Sequence, residues 1–170
     1  MSTFWTIQSV EKWNEVKSIG CLTGTSDHVW PEFIEPYKWM VQQMNLRVKN
    51  YTQEGYPIWL WANRPDLRRC GHLGKGERGV LLKIEIDDER VLLSDFEAWH
   101  FVLNGVYCNI EAEDDNNLDL SPESIQKSWE KIFDLDYLYN HPEWNNCIIQ
   151  GVTSKVFLHE ITLAKEFTSR

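Results

Sequence analysis

The 170 residues contain no C-x-x-C pair, no cluster of cysteine with histidine and no long apolar run. Each absence removes a class of protein. Cys21, Cys70, Cys108 and Cys147 are scattered, and Cys70-Gly71-His72 is too sparse for zinc, so neither a metal centre nor a disulfide framework is expected. Glu11, Lys12, Glu15 and Lys17 interrupt residues 1 to 20, which denies that stretch the apolar core of a signal peptide or a membrane span. The expectation is a reduced, cytoplasmic protein with free thiols and no membrane contact. A phosphate loop of the form G-x-x-x-x-G-K-S/T is also missing, since Gly71-His72-Leu73-Gly74-Lys75-Gly76 has the wrong spacing. The acidic stretch from Glu111 to Asp119 lacks the alternation and closing glutamate of a calcium loop and reads as a solvated loop. With no repeat and no linker, residues 1–170 read as one domain, long enough to bury a sizeable core.

Positive charge is scarce as well. The formal net charge of -9 argues against nonspecific nucleic-acid binding, which needs a cationic surface. The cations that do occur are concentrated. Between Trp59 and Gly79, Arg64, Arg68, Arg69, Lys75 and Arg78 oppose only Asp66 and Glu77, which makes this stretch +3 and the remainder -12. Four of the nine glycines, Gly71, Gly74, Gly76 and Gly79, fall in the same stretch, directly after Trp59 and Trp61. Arginine forks, backbone N–H groups freed by glycine and flat aromatic faces suit a ligand that carries phosphate and a ring.

Hydrophobic spacing supplies the elements. Phe4 to Gln8 reads as a strand, Ser9 as a helix cap, and Val10, Trp13, Val16 and Ile19 as a helical stripe that Gly20 ends. A second helix from about Pro36 to Lys49 buries Tyr37, Met40 and Met44, with Trp39 off that stripe. Pro57 to Ala62, Val80 to Ile86 and Val91 to Leu93 read as strands, and Ser94-Asp95-Phe96-Glu97 matches a capping box in which Ser94 opens a helix. Ser121-Pro122-Glu123 opens another helix, and Cys147 to Phe157 and Ile161 to Phe167 close the fold as strands. The elements do not alternate regularly, so the expected class is α+β, with a mixed or antiparallel sheet, split or whole, and packed helices. Nine tryptophans are either core or pocket lining.

Three groups could carry chemistry. Arg64, Arg68 or Arg69 could clamp a phosphate or carboxylate while Trp59 or Trp61 stacks a ring, or these arginines cap carbonyls or pair with Asp66 and other surface acids. His100 could serve as a proton carrier or as a hydrogen-bonded packing residue. Gln150, in the apolar run Cys147 to Gly151, either satisfies a neighbouring backbone group or points into a ligand cleft, and Gln8 poses the same question at the end of the first strand. A hollow gathering Trp59, Arg68, His100 and Gln150 would mark a ligand site, and a flat aromatic surface would mark a partner site.

The pattern Phe4-Trp5-Thr6-Ile7-Gln8, Pro65-Asp66-Leu67-Arg68, Leu92-Leu93-Ser94-Asp95-Phe96, Trp99-His100 and Ile149-Gln150 resembles an uncharacterised bacterial family, domain-of-unknown-function family 3841. More remotely, the strand, the helix ending in Gly-x-Leu, and the runs Gly79 to Ile86 and Val91 to Asp95 are similar to small ADP-ribosyltransferases that split NAD. That resemblance implies their architecture, NAD as candidate ligand, and catalytic positions at Thr6 or Gln8, Ser94 and Gln150. An amide at Gln150 departs from the usual glutamate, because it cannot stabilise a cationic sugar as a carboxylate does. Two readings therefore follow: a nucleotide-like ligand held by Gln8, Trp59, Trp61, Arg64, Arg68 and Ser94 with His100 and Gln150 at the reacting centre, or a nonenzymatic module that meets a protein partner in bacterial defence or mobile elements.

Overall fold

A computed structural model describes every residue except 50, 52–54 and 146, together with the side chains other than those of His28 and Asp115. Six strands, β1 (Ser2–Ser9), β3 (Ile58–Trp61), β4 (Arg78–Ile86), β5 (Leu92–Asp95), β6 (Ile149–Thr153) and β8 (Ile161–Thr168), form one sheet in the order β5-β6-β3-β1-β4-β8. Every pairing in it is antiparallel. β2 (Cys21–Thr23) and β7 (Lys155–Phe157) make a separate two-stranded ribbon. The class is α+β as the spacing predicts.

The large sheet consists of two three-stranded halves. β1 and β4 are in register over eight residues, whereas β1 meets β3 at the single pair Trp5 and Trp61. That narrow contact is the seam of the molecule.

Each face of the sheet has its own core. On one, α1 (Val10–Ile19) lays Trp13 and Val16 on Phe4, Val80, Leu82 and Ile84, with Leu22 and Val156 of the ribbon closing the side. α1 begins where Ser9 accepts from the Lys12 N–H and ends at Gly20, whose φ of 92° is a left-handed stop. Ile19 breaks the expected stripe and is exposed, since the last turn runs past the edge of this core.

On the other face, α2 (Ile34–Arg47), α3 (Phe96–Leu103), α4 (Pro122–Ser128), the 3₁₀ turn Trp129–Phe133 and α5 (Leu135–Asn140) roof only the β5-β6-β3 half. Trp39, off the predicted stripe, is buried here against Trp129 at 5.4 Å and Phe133 at 5.7 Å, so α2 has a second packing face. Such aromatic pairs add about 0.5–1.5 kcal/mol beyond burial. β4 and β5, consecutive in sequence, do not pair with each other; β5 crosses to the far edge beside β6. No helix among the described residues is long and apolar enough to cross a membrane.

Candidate functional site at the sheet seam

Strand alternation and register place one row of side chains across the half-roofed face of the sheet: Ser94, Gln150, Trp61, Trp5, Lys83 and Thr162. Helices cover its first members. Ser94 is fully buried and Gln150 nearly so, and the Gln150 Nε2 donates to Ser94 Oγ at 3.3 Å. The Gln150 amide is therefore satisfied by a neighbour, and that neighbour is a side-chain hydroxyl rather than the expected backbone group.

The capping-box expectation at Ser94 is overturned. Asp95 is the N-cap of α3, accepting from the Ala98 N–H at 2.7 Å and, with its second oxygen, from the Ile148 N–H at 3.0 Å. Ser94 does not cap because its buried hydroxyl accepts from the Gln150 amide, while Asp95, the last residue of β5, turns its carboxylate onto the first turn of α3. Cys147 also donates to Asp95, and burial together with that carboxylate pushes its thiol up to about 11, far from a nucleophilic thiolate at neutral pH.

Beyond Gln150 the roof thins. Trp61 is half-buried, with the Phe96 ring at 4.9 Å, and Phe96 in turn receives His100 edge-on at 4.9 Å. His100 Nδ1 lies 3.0 Å from the Phe96 carbonyl oxygen; a carbonyl only accepts, so Nδ1 carries a proton, and in the neutral ring Nε2 is then the lone-pair nitrogen. On the other side of the seam, the Arg64 guanidinium stands 5.2 Å over the Trp5 ring, and Lys83 sits directly across the ladder from Trp5, donating to Glu85. Trp5, Trp61, Phe96, Arg64 and His100 thus form an aromatic platform edged by a cation and an imidazole.

The glycine-rich connection crosses this same face. It starts with Arg64 over Trp5, and Leu73 reaches the β4–β8 end, where it fills the space beside Gly79 and Phe167. Gly71 and Gly76 supply its positive φ values, 87° and 84°. Two of its glycine donors are already used: the Gly74 N–H goes to Glu77 Oε2 and the Gly76 N–H to the Ser169 carbonyl. Neither is free to bind a phosphate.

Several expected site residues fall elsewhere. Arg68 is exposed and grips Asp66 through Nε and a terminal nitrogen, at 2.9 and 2.8 Å, and that grip holds the Asp66 carboxyl well below the usual range. Trp59 lies one row deeper, between Tyr37 at 5.8 Å and Trp99 at 4.9 Å, and burial raises the Tyr37 pKa. Its indole nitrogen is buried without a well-formed hydrogen bond. Gln8 and Thr6 share the Phe4 face, opposite to Gln150, and the Gln8 amide donates to Thr6 Oγ1 at 3.0 Å. Trp59, Arg68, His100 and Gln150 therefore do not gather around one hollow. The cavities that stand out lie away from the seam, one of about 270 Å³ beside Lys49, Arg90, Ser154 and Phe157, another of about 500 Å³ between Tyr139, His141, Trp144 and Cys147.

A family described as Domain of unknown function (DUF3841) matches residues 3–124, more than half of the chain. The chain belongs to this family. The match runs from β1 into α4, so it spans Trp5, Trp61, Arg64, Ser94 and His100, and stops short of β6 with Gln150. No curated protein and no solved structure matches the chain.

Trp5, Phe96 and Lys83 were not singled out as site residues from the sequence. Their role depends on which strand lies beside which, and the pairing of Trp5 with Trp61 joins residues 56 positions apart. The aromatic alternation at Trp59 and Trp61 was visible. Which of the two faces the seam was not.

Proposed function

We propose that this member of the family is a binding domain that takes a planar, phosphate-bearing, nucleotide-like moiety on the seam platform, and that it does not catalyse its transfer. Trp61 and Trp5 offer the ring faces, Arg64 the charge, and His100 Nε2 an acceptor for a base or sugar donor. The observation that carries this reading is Arg64 held over Trp5, one register position from Trp61, with no acidic partner among the described residues. Of the ADP-ribosyltransferase-like reading, the two-halved sheet and the Ser94–Gln150 neighbours give support. Its catalytic half has less: Gln8 and Thr6 occupy the opposite face, and the Gln150 amide is spent on Ser94.

A thermal-shift panel of NAD, AMP, ADP and sugar phosphates tests the proposal, because a ligand that binds only the native state raises its stability. A shift with the ring-bearing phosphates that Trp61→Ala removes is the expected result. Equal shifts in wild type and variant, or none, would remove the site. The second reading, a protein-interaction surface, is favoured by the exposure of Arg64 and His100 at the platform's edges, and aromatic and arginine anchors suit it. Under that reading the panel is silent, and Trp61→Ala weakens capture of a partner protein.

A further inference from the structure

We infer that the nucleotide-like moiety is the terminal residue of a single-stranded nucleic acid rather than a free nucleotide; this deepens the reading above and rests on it. The first ground is openness. Sites for small ligands enclose about 70–90% of the ligand surface. Here Arg64 and His100 are exposed, the three rings Trp5, Trp61 and Phe96 are half-buried, and the cavities described above lie elsewhere. A platform of this kind covers one side of one ring, so its occupant needs further contacts beyond it.

The second ground is where the charge continues. The loop runs from β1, under Arg64, to Leu73 at β8, across two strand spacings or about 10 Å. Arg68 and Arg78 are paired with Asp66 and Glu166, whereas Arg64, Arg69 and Lys75 form no salt bridge among the described residues, Arg69 acting on Asp66 only at longer range. Those three cations belong to the segment that leads from Arg64 over Trp5 toward the β4–β8 end and are exposed on it, which supplies charge beyond the platform for further phosphates of a strand. The third ground is the charge of the rest. At -12 outside this stretch, the body repels a long polyanion and confines the footprint to a strand end.

Fluorescence anisotropy with a 3′-labelled hexathymidylate, competed by unlabelled hexathymidylate, thymidine monophosphate and AMP, is the test. The hexanucleotide should bind about tenfold tighter than either mononucleotide, through one stacked base and added phosphates. Three cations at about -0.7 each predict a log–log salt slope of about -2. The double variant Arg69→Ala/Lys75→Ala should lower that slope to about -0.7 and weaken hexathymidylate about tenfold, while changing AMP affinity less than about threefold. Mononucleotide binding equal to or tighter than the hexanucleotide overturns the strand-end inference and leaves the ligand reading standing. Binding of neither, the outcome expected of a protein-interaction surface, overturns both.

Discussion

The two halves of the sheet present the same face to different roofs. Over β5-β6-β3 the face is sealed by helices: Trp59, Trp99, Tyr37 and Val152 interlock, and the polar pair Ser94–Gln150 is satisfied inside. Over β1-β4-β8 no helix of the described residues sits on that face, and a charged loop takes its place, leaving Trp5, Ile7 and Lys83 partly open. The contrast teaches that polar residues in a β-row change meaning with their cover. Gln150 and Ser94 are structural because helices desolvate them. Trp61 and Trp5, in the same row, sit where that desolvation ends and a ligand could supply the missing cover.

The comparison breaks first if the halves respond alike to loss of an aromatic side chain. Trp99→Ala, under the helices, should cost about 4 kcal/mol by the burial and cavity it forfeits, while Trp5→Ala, at the seam, should cost about 1 kcal/mol. Urea unfolding of both variants reads this directly, and equal losses would mean that the open half is as tightly packed as the roofed one. Next in size is the buried amide. Gln150→Leu leaves the Ser94 hydroxyl without its donor and should cost about 2 kcal/mol, and adding Ser94→Ala should recover most of it. A double variant no better than the single would show that the pair does more than satisfy itself.

The helical roof also carries a pH-dependent tie. Burial raises the Glu111 pKa, but Lys131 at 2.8 Å and the Tyr137 hydroxyl overcome this and hold the carboxyl at about 2, below its ordinary 4.5. Burial and the same carboxylate push Tyr137 up to about 12. A depressed carboxylate stabilises above its unfolded pKa and loses that contribution as pH falls through the folded one. Glu111→Gln should therefore lower the urea midpoint at pH 7, with the difference from wild type shrinking below about pH 4.5 and gone near pH 2. A difference that does not change with pH would assign the loss to packing.

How much of this was legible beforehand depends on range. Local signals read well: Ser9 and Gly20 bound α1, Ser121 and Pro122 open α4, and the class is α+β. The cap of α3 lies one residue beyond the expected Ser94, because Ser94 and Asp95 are both good caps locally and only the distant Gln150 amide, which engages the Ser94 hydroxyl, decides between them. The site was legible as a segment. Its composition was not: Arg68 is taken by Asp66 two positions away, and Gln8 and Gln150 are separated by the thickness of the sheet, a consequence of register that no single strand reveals.

Arg64 and Arg68 lie four residues apart in one loop, and only the first stands over the platform. Calorimetric titration of AMP into wild type, Arg64→Ala and Arg68→Ala tests the seam most directly. The account predicts at least about tenfold weaker binding for Arg64→Ala and less than about threefold change for Arg68→Ala. Loss with Arg68→Ala and none with Arg64→Ala would contradict it.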